Sequence, residues 1–195
     1  MKARQLMQAS AVLVLSVLLS GCIGLLVGGT AAVGVGLAHD RRTTGTLVDD
    51  QTIGLKVTAA LDRQLPGGSR ISATSYNAVV LLTGEAASEE ARRRAEAIAR
   101  GVMPPPREVY NEVVVGPPSP LSARSNDALL TTKAKAALFK VQMKDFDPTR
   151  VKVVTDRSVV YLLGLVRPVE GDAAANVVSQ IGGVHQVVTL FEFIN

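Results

Sequence analysis

Val79-Val80-Leu81-Leu82-Thr83-Gly84 returns 80 positions later as Val159-Val160-Tyr161-Leu162-Leu163-Gly164. The segment before each run is repeated at the same offset, since residues 70–75 align with residues 150–155. Both pairs are rich in β-branched residues, which favour strands. A repeat with two strand-forming segments per copy indicates that one small structural unit is duplicated within the chain.

The repeat extends to both sides of these strands. Residues 56–61 align with residues 133–138 at an offset of 77, and residues 108–113 align with residues 186–191 at an offset of 78. Because the offset changes between aligned segments, we expect small insertions in the loops that join them. Residues 116–120, Gly-Pro-Pro-Ser-Pro, separate the two copies and predict a stiff linker.

Each copy contains a predicted set of five elements. In the first copy, four apolar residues at helical spacing predict a helix that ends before Pro66. Two strands follow, with a tight turn at Tyr76-Asn77, because Asn tolerates positive φ. A second helix begins at Ser88, a favourable N-cap, and residues 108–115 form a third strand. The apolar residues of the first helix are Ile53, Val57, Ala60 and Leu61.

The predicted fold class is α+β, with the order αββαβ in each of two tandem modules. Each module has a three-stranded sheet with two helices on one face, and it is close to the lower size limit for independent folding. Along the chain we expect a leader (1–21), a tether (22–49), a first module (50–116), a Pro-rich linker (117–124) and a second module (125–195).

The composition excludes several classes of protein. The 195 residues are 47% hydrophobic and 19% charged, which is too apolar for a disordered chain. One cysteine excludes a disulfide-stapled scaffold, and a single cysteine with two histidines argues against a zinc or iron–sulfur site. The net charge is +4, and Lys2 and Arg4 of the leader supply half of it, so no nucleic-acid-binding surface is expected.

The N-terminus has the layout of an export signal. A short basic segment, an uncharged apolar run over residues 9–19 and two small residues precede Cys22. Leu19-Ser20-Gly21-Cys22 resembles the bacterial lipobox. The resemblance implies cleavage before Cys22 and lipid attachment to it. Ile23, rather than Asp, follows the cysteine, as in lipoproteins that are sorted to the outer membrane.

Two alternatives remain open for this segment. The uncharged stretch runs from Ala9 to Leu37, longer than the roughly 20 residues that a membrane-spanning helix needs, so an uncleaved single-span anchor competes with cleavage. A buried structural cysteine beside such a helix is the other alternative. Glycines recur between Gly24 and Gly36 and weaken a helix there, since each costs about 1 kcal/mol relative to Ala. The prediction is therefore cleavage, followed by a Gly/Ala-rich tether.

The αββαβ pattern, with Gly84 and Gly164 at the end of each second strand, resembles the BON domain of bacterial envelope proteins. With the lipobox and the tether, the two copies resemble a family of dual-BON outer-membrane lipoproteins that bind phospholipid. The short strings that carry this resemblance are Gly45-Thr46, Val48-Asp49-Asp50, Val109-Tyr110-Asn111-Glu112, Ser125-Asn126-Asp127 and Thr131-Thr132-Lys133.

The first helix of the second copy is predicted over residues 127–144 and has two apolar faces. One face, toward the sheet, carries Leu130, Ala134, Ala137, Leu138 and Val141. The other carries Leu129, Lys133, Ala136 and Lys140, with Phe139 on its flank. A leucine between lysines suits a bilayer with anionic headgroups, because apolar side chains enter the interface while lysines meet phosphates. Packing of Leu129 and Phe139 against the first module, with the lysines in solvent, is an equal alternative from the residues alone.

The family resemblance favours the bilayer, since in that family this helix contacts phospholipid. It implies that the contact is made by Leu129, Leu130, Lys133, Ala136, Phe139 and Lys140. One departure is that Leu129 stands where the family carries Trp, a residue that anchors better at headgroup depth. The strength of the interaction is therefore less predictable than its location.

The resemblance implies a lipid-anchored, periplasm-facing outer-membrane protein that binds anionic phospholipid and supports envelope integrity, including at division sites. The alternative is an adaptor that docks outer-membrane assembly or division-site proteins. An enzyme with a site between the modules is a third hypothesis, but neither His39 nor His185 has a nucleophile or carboxylate at a catalytic spacing. We therefore expect no catalytic residue, no metal and no cofactor, and no nucleic-acid partner.

Overall fold

The computed structural model describes residues 40–65 and 67–195. The first copy contains α1 (Thr44–Gln64), β1 (Arg70–Tyr76), β2 (Val79–Ala86), α2 (Glu89–Arg100), β3 (Glu108–Asn111) and β4 (Val114–Val115). The second copy contains α3 (Leu121–Leu138), a 3-10 turn (Pro148–Arg150), β5 (Val151–Asp156), β6 (Val159–Val166), α4 (Pro168–Ser179) and β7 (Gln186–Phe193). The α+β class and the repeated αββαβ order are confirmed.

The two sheets have the same topology. In each, the first two strands form an antiparallel hairpin, and the third strand pairs in parallel with the second, which is therefore central. In the first copy the predicted third strand is divided into β3 and β4, and both pair with β2. A parallel partner for the central strand requires a crossover, and α2 and α4 supply it.

The two sheets share a core. Each sheet packs one face against its own two helices, with Val80 and Leu82 of β2 among the buried residues on that side. The opposite faces contribute to one cluster with Leu81 of β2 and Leu163 of β6, in which Tyr76 and Tyr161 are also buried. The central strands are thus buried on both sides, which explains why β2 and β6 are nearly continuous apolar runs.

Both hairpins turn through two residues with positive φ. The turn residues are Asn77 and Ala78 in the first copy and Arg157 and Ser158 in the second. Positive φ at both positions is the geometry that matches the twist of a two-residue hairpin. The predicted turn at Tyr76-Asn77 is therefore displaced by one residue, because Tyr76 pairs with Val79 as the last residue of β1.

The ends of the first helix in each copy differ from the predicted ends. α1 begins at Thr44, where the Thr43 side chain accepts a hydrogen bond from the Thr46 N–H, so the helix includes residues assigned to the tether. α3 begins directly after Pro120, inside the predicted linker, and ends at Leu138 rather than at Lys144. Leu138 is the last residue of α3 that packs into the core, and the chain then turns toward the 3-10 turn.

Gly84 and Gly164 lie within their strands rather than at the strand ends. At Gly84, with φ of 113°, a Cβ atom would lie 2.1 Å from the carbonyl oxygen of Arg70 on the neighbouring strand. At Gly164 the equivalent distance to the carbonyl oxygen of Arg150 is 2.8 Å. Glycine is needed at both positions because the first strand of each hairpin passes too close for a side chain.

Candidate functional site

α3 is fixed on the second module by its inward residues. Leu130 and Leu138 are each 1% exposed, and Ala134 is fully buried between them. Leu130 therefore cannot contact phospholipid while the module is folded, and its inclusion in the predicted contact set is wrong. The error arises because Leu129 and Leu130 are neighbours in sequence but lie about 100° apart around the helix axis.

The α3 outer face, as we define it, consists of Leu129, Lys133 and Ala136, continued beyond the helix by Phe139 and Lys140. Leu129 is 51% exposed and Phe139 is 70% exposed, and the other three side chains are also exposed. Phe139 is the C-cap residue of α3, and Lys140 lies in the turn that follows. Five of the six predicted contact residues are thus exposed on α3 or directly after it.

The first module does not cover this face. The alternative in which Leu129 and Phe139 pack against the first module requires both side chains to be buried, and their exposure contradicts it. The contact between the modules is instead made by the two sheets. Leu129 and Phe139 are left as large apolar side chains beside lysines on the surface.

The equivalent face of α1 has different chemistry. At the repeat offset of 77, Thr52 corresponds to Leu129, and Lys56 corresponds to Lys133. The Lys56 ammonium donates to the carbonyl oxygen of Met103 at 2.6 Å, whereas Lys133 has no ion-pair partner among the residues that the structure describes. The combination of an exposed leucine with an available lysine is therefore specific to the second module.

The residues just before α1 form an unexpected second feature. Residues 40–43 were predicted to belong to a polar tether, but Arg41 and Arg42 make contacts with both modules. Arg41 donates two hydrogen bonds to the carboxylate of Glu170 on α4, at 2.6 and 2.9 Å, and a third to the carbonyl oxygen of Leu165. The chain is thus attached to the second module before it enters the first.

Glu170 is a buried carboxylate held by two arginines. It is 1% exposed, and it accepts hydrogen bonds from Arg41, from the Arg167 side chain and from the Arg167 N–H. Burial alone would raise the pKa of Glu170, but the bonds from Arg41 and Arg167 outweigh burial and lower the pKa to about 2. Glu170 is therefore ionised throughout the physiological range.

Arg42 connects the same segment to the first module. Its guanidinium donates to Asp40 and to Asp50 of α1, and it lies 3.9 Å from the centre of the Tyr76 ring. The Tyr76 hydroxyl in turn donates to the carbonyl oxygen of Arg150 and accepts from the Leu165 N–H, both in the second module. Arg41, Arg42 and Tyr76 thus connect the N-terminal segment to both sheets.

Cys22 and the apolar run before it lie outside the described residues, so lipid attachment stays a prediction. In residues 40–65 and 67–195, no helix has the length and apolar character needed to cross a bilayer. The tether residues up to His39 also lie outside the description.

Several polar residues considered in the sequence have structural roles. Ser88 accepts a hydrogen bond from the Ala91 N–H, which confirms it as the N-cap of α2, and Arg92 pairs with Glu89. The His185 N–H donates to the carbonyl oxygen of Ser158 in the second hairpin turn. In the part of the chain that the structure describes, no three acidic, histidine or cysteine side chains converge in a way that could hold a metal ion.

The BON domain model matches residues 49–117 and 126–195. The chain belongs to the BON domain family. Its two BON domains correspond to the two copies of the repeat, and each match begins within a few residues of the predicted start of a module. The boundary residues 118–125 between the matches include Pro120, which precedes α3.

Two curated relatives align with this chain over most of their length. The chain is 37% identical to the outer membrane lipoprotein DolP of Haemophilus influenzae, over 92% of either chain. It is 34% identical to a protein named 21 kDa hemolysin from Actinobacillus pleuropneumoniae, over 80% of this chain and 79% of that one. The predictions of a dual-BON lipoprotein and of outer-membrane localisation are confirmed by these similarities.

A solved structure also matches in part. The C-terminal domain of CdsD, a structural protein of the type III secretion system of Chlamydia trachomatis, aligns over 72% of this BON-domain chain and 96% of that chain. The identity is 10% and the TM-score is 0.30, below the value at which two folds are regarded as alike.

Proposed function

We propose that this outer-membrane lipoprotein binds anionic phospholipid through the α3 outer face and that it has a non-enzymatic role in outer-membrane integrity. The acyl chains on Cys22 hold the protein at the periplasmic surface of the membrane. The α3 outer face then lies against the headgroups, with Leu129 and Phe139 inserted and Lys133 and Lys140 paired with phosphates. The same proposal includes support of outer-membrane integrity at division sites.

The observation that carries the proposal is the exposure of Leu129 beside lysines. Leu129 is 51% exposed, whereas Leu130 and Leu138, the leucines of α3 that point into the module, are each 1% exposed. Transfer of such a side chain out of water contributes about 1.5–3 kcal/mol when it is complete. Each lysine near an anionic leaflet adds about 1 kcal/mol, so apolar and electrostatic contributions are of similar size.

The residue at position 129 also determines how strongly the α3 outer face is expected to bind phospholipid. Trp at this place in the family has a polar N–H that suits the headgroup region, and Leu lacks it. Phe139, 70% exposed at the end of α3, supplies a second apolar group that enters the same interface. We therefore expect a contact that is weak by itself and that becomes persistent because the lipid anchor keeps the domain at the surface.

Lys133→Glu is expected to weaken binding to anionic vesicles by roughly thirtyfold, because the change from +1 to −1 beside anionic lipid removes about 2 kcal/mol. Leu129→Glu is expected to have a similar effect, since it replaces an inserted side chain with a charge. Both variants are measured by co-sedimentation with phosphatidylglycerol-containing and pure phosphatidylcholine vesicles. Every variant is prepared as residues 40–195, a compact unit by itself, so that neither acyl chains nor the apolar run of residues 9–37 masks the differences.

Leu55→Glu is the matched control. Leu55 is 71% exposed on α1, the equivalent helix of the first BON domain, and it does not belong to the α3 outer face. The control should bind as the parent does, and circular dichroism should show all variants folded. If Leu129→Glu and Lys133→Glu both bind anionic vesicles like the control, phospholipid contact by this face is ruled out.

The adaptor function makes a different prediction for the same variants. If the α3 outer face docks a protein of the envelope, the parent chain binds anionic and zwitterionic vesicles equally. Loss of envelope integrity in cells that express Leu129→Glu would then occur without any loss of vesicle binding. The phospholipid proposal expects the two losses together.

A further inference from the structure

A cavity of about 380 Å³ lies where the N-terminal segment, the first sheet and the second module meet. It is flanked by α3, by the 3-10 turn and by β5. The lining residues that matter for its chemistry are Arg42, Lys135, Leu138, Phe139, Thr149 and Lys152. Three cations face the cavity, and none of the described residues that line it is acidic.

The two lysines have unused hydrogen-bonding capacity. The Lys152 ammonium has a contact of 3.4 Å with the carbonyl oxygen of Ser75, which is long for a charge-assisted bond. Lys135, in the last turn of α3, has no ion-pair partner among the described residues. Arg42 differs from both, because Asp40 and Asp50 hold it in place against Tyr76.

The cations in the cavity repel each other. Burial lowers the pKa of Lys152, and the positive charges of Arg42 and Lys135 lower it further, although Asp50 acts in the opposite direction. An anion in the cavity would relieve this repulsion. The arrangement therefore favours a compact anion with several acceptor oxygens.

The lining of the cavity suits a ligand with a charged part and an apolar part. Phe139, with the largely buried Leu138 beneath it, provides apolar lining at the end of α3, and Thr149 of the 3-10 turn provides a polar residue. The volume exceeds that of a phosphate ion and falls in the range of small-ligand sites, about 300–1,000 Å³. A phosphate that carries a small organic substituent matches both the charge and the space.

We propose that this cavity binds one phosphate group, as a monoester or diester, through the ammonium groups of Lys135 and Lys152. The substituent of the phosphate lies against Leu138 and Phe139. The headgroup of an anionic phospholipid and a soluble phosphate ester share this chemistry. Phe139 belongs both to this cavity and to the α3 outer face, whereas Leu129 and Lys133 do not line the cavity. Variants of Leu129 and Lys133 therefore distinguish this site from the α3 outer face.

Titration with inorganic phosphate tests the site directly. The lipidated full chain is held in maltoside micelles, which contain no phosphate, and backbone amide signals are followed by NMR at constant ionic strength. We expect saturable changes at Thr149, Val151 and Lys152 with phosphate and not with chloride. The pKa of the Lys152 amine, followed through its 13Cε signal, should rise when phosphate is bound, because an anion stabilises the charged form.

Lys152→Gln is expected to weaken phosphate binding by about tenfold or more, since one hydrogen bond to a charged group is lost. Lys135→Gln is a second variant with the same expectation. Lys144→Gln is the matched control, because Lys144 is an exposed lysine that does not line the cavity. Lys133→Glu should leave phosphate binding intact even where it reduces vesicle binding.

Titration with dihexanoyl phosphatidylglycerol then distinguishes a phospholipid headgroup from a soluble phosphate ester as the source of the phosphate group. Changes at the same amides at lower concentrations than with phosphate identify a lipid headgroup as the ligand. Changes with phosphate alone identify a soluble phosphate ester, and either result supports the site. Non-saturating changes, an equal response to chloride, or an equal loss in Lys144→Gln would overturn the proposal.

Discussion

Asp50→Ala is expected to lower the free energy of unfolding by about 3–5 kcal/mol, because it removes the acceptor for several buried donors at once. Asp50 is 5% exposed on α1. Its carboxylate accepts from the Asn77 N–H at 2.7 Å, from the Ala78 N–H at 2.8 Å and from the Ser75 hydroxyl at 2.8 Å. It also receives a hydrogen bond from Arg42 at 2.9 Å.

The size of the effect follows from what the variant leaves behind. Asn77 and Ala78 are held at positive φ, and no glycine is present to make that conformation easy. Without the carboxylate, the buried Ser75 hydroxyl and the partly buried N–H groups of Asn77 and Ala78 lose their acceptor. A fully buried donor left unsatisfied costs about 1–3 kcal/mol. The first hairpin and the attachment of Arg42 are weakened together. Urea denaturation followed by circular dichroism measures the loss.

Asp127→Ala provides an internal comparison. Asp127 on α3 accepts from the Arg157 N–H at 2.9 Å and from the Ser158 N–H at 2.8 Å, so it holds the second hairpin turn in the same way. We expect a smaller loss, about 2–3 kcal/mol, because the described residues provide Asp127 with fewer donors than Asp50. Equal stability of Asp50→Ala and the parent would mean that the carboxylate does not hold the turn.

The repeat made the order of elements predictable because each copy follows the same hydrophobic pattern. It also contained a signal for the paired aspartates, since Asp50 and Asp127 align at the offset of 77. A carboxylate at the start of a helix is stabilised by the helix dipole, and Asp50 stands at the predicted start of the first module. That role fails because α1 begins at Thr44, so Asp50 lies in the second turn of the helix and faces the hairpin.

The sheet-to-sheet contact could have been predicted from the central strands. A three-stranded sheet with helices on one face and water on the other predicts alternating polarity in β2 and β6. Val80, Leu81 and Leu82 are consecutive apolar residues, and all three are fully buried. Such a run requires cover on both faces, and in this chain the second sheet supplies the cover for Leu81.

The contacts of residues 40–43 could not be predicted from local sequence. A polar segment with Arg41 and Arg42 is typical of a linker. Arg42 pairs with the nearby Asp40 and Asp50, but nothing nearby indicates a partner for Arg41. The partner of Arg41, Glu170, lies 129 positions along the chain. The location of the α3 outer face was predictable because it depends on helical spacing, which a single sequence contains. Leu130 was wrongly added to the predicted phospholipid contacts because it is adjacent to Leu129 in sequence.

Glu170→Ala is expected to lower the free energy of unfolding by about 3–5 kcal/mol, the range for removal of one partner from a buried ion pair. The variant leaves Arg41, Arg167 and the Arg167 N–H without their acceptor. Arg41→Ala should cost less, because Glu170 keeps its contact with Arg167. Amide hydrogen exchange at residues 41–44 should increase in both variants, since the attachment to α4 is lost.

The pH dependence of stability separates the charge of Glu170 from its packing. The pKa of Glu170 is lowered to about 2 in the folded chain, from an ordinary value of about 4.5, so the unfolded chain binds the proton more readily. The stabilisation from this group is complete above about pH 4.5 and is lost as the pH falls toward 2, by about 3 kcal/mol in all. Glu170→Gln should remove this part of the acid dependence while it preserves the shape of the side chain.

Glu192→Gln is the matched control for that experiment. Glu192 pairs with Arg107 between the two BON domains, but it is exposed, and exposed ion pairs contribute little. Its variant should retain the acid dependence of the parent between pH 4.5 and pH 2. If Glu170→Gln also retains it, Arg41 does not hold an ionised Glu170, and the N-terminal segment is attached to the second BON domain by the Leu165 carbonyl bond alone.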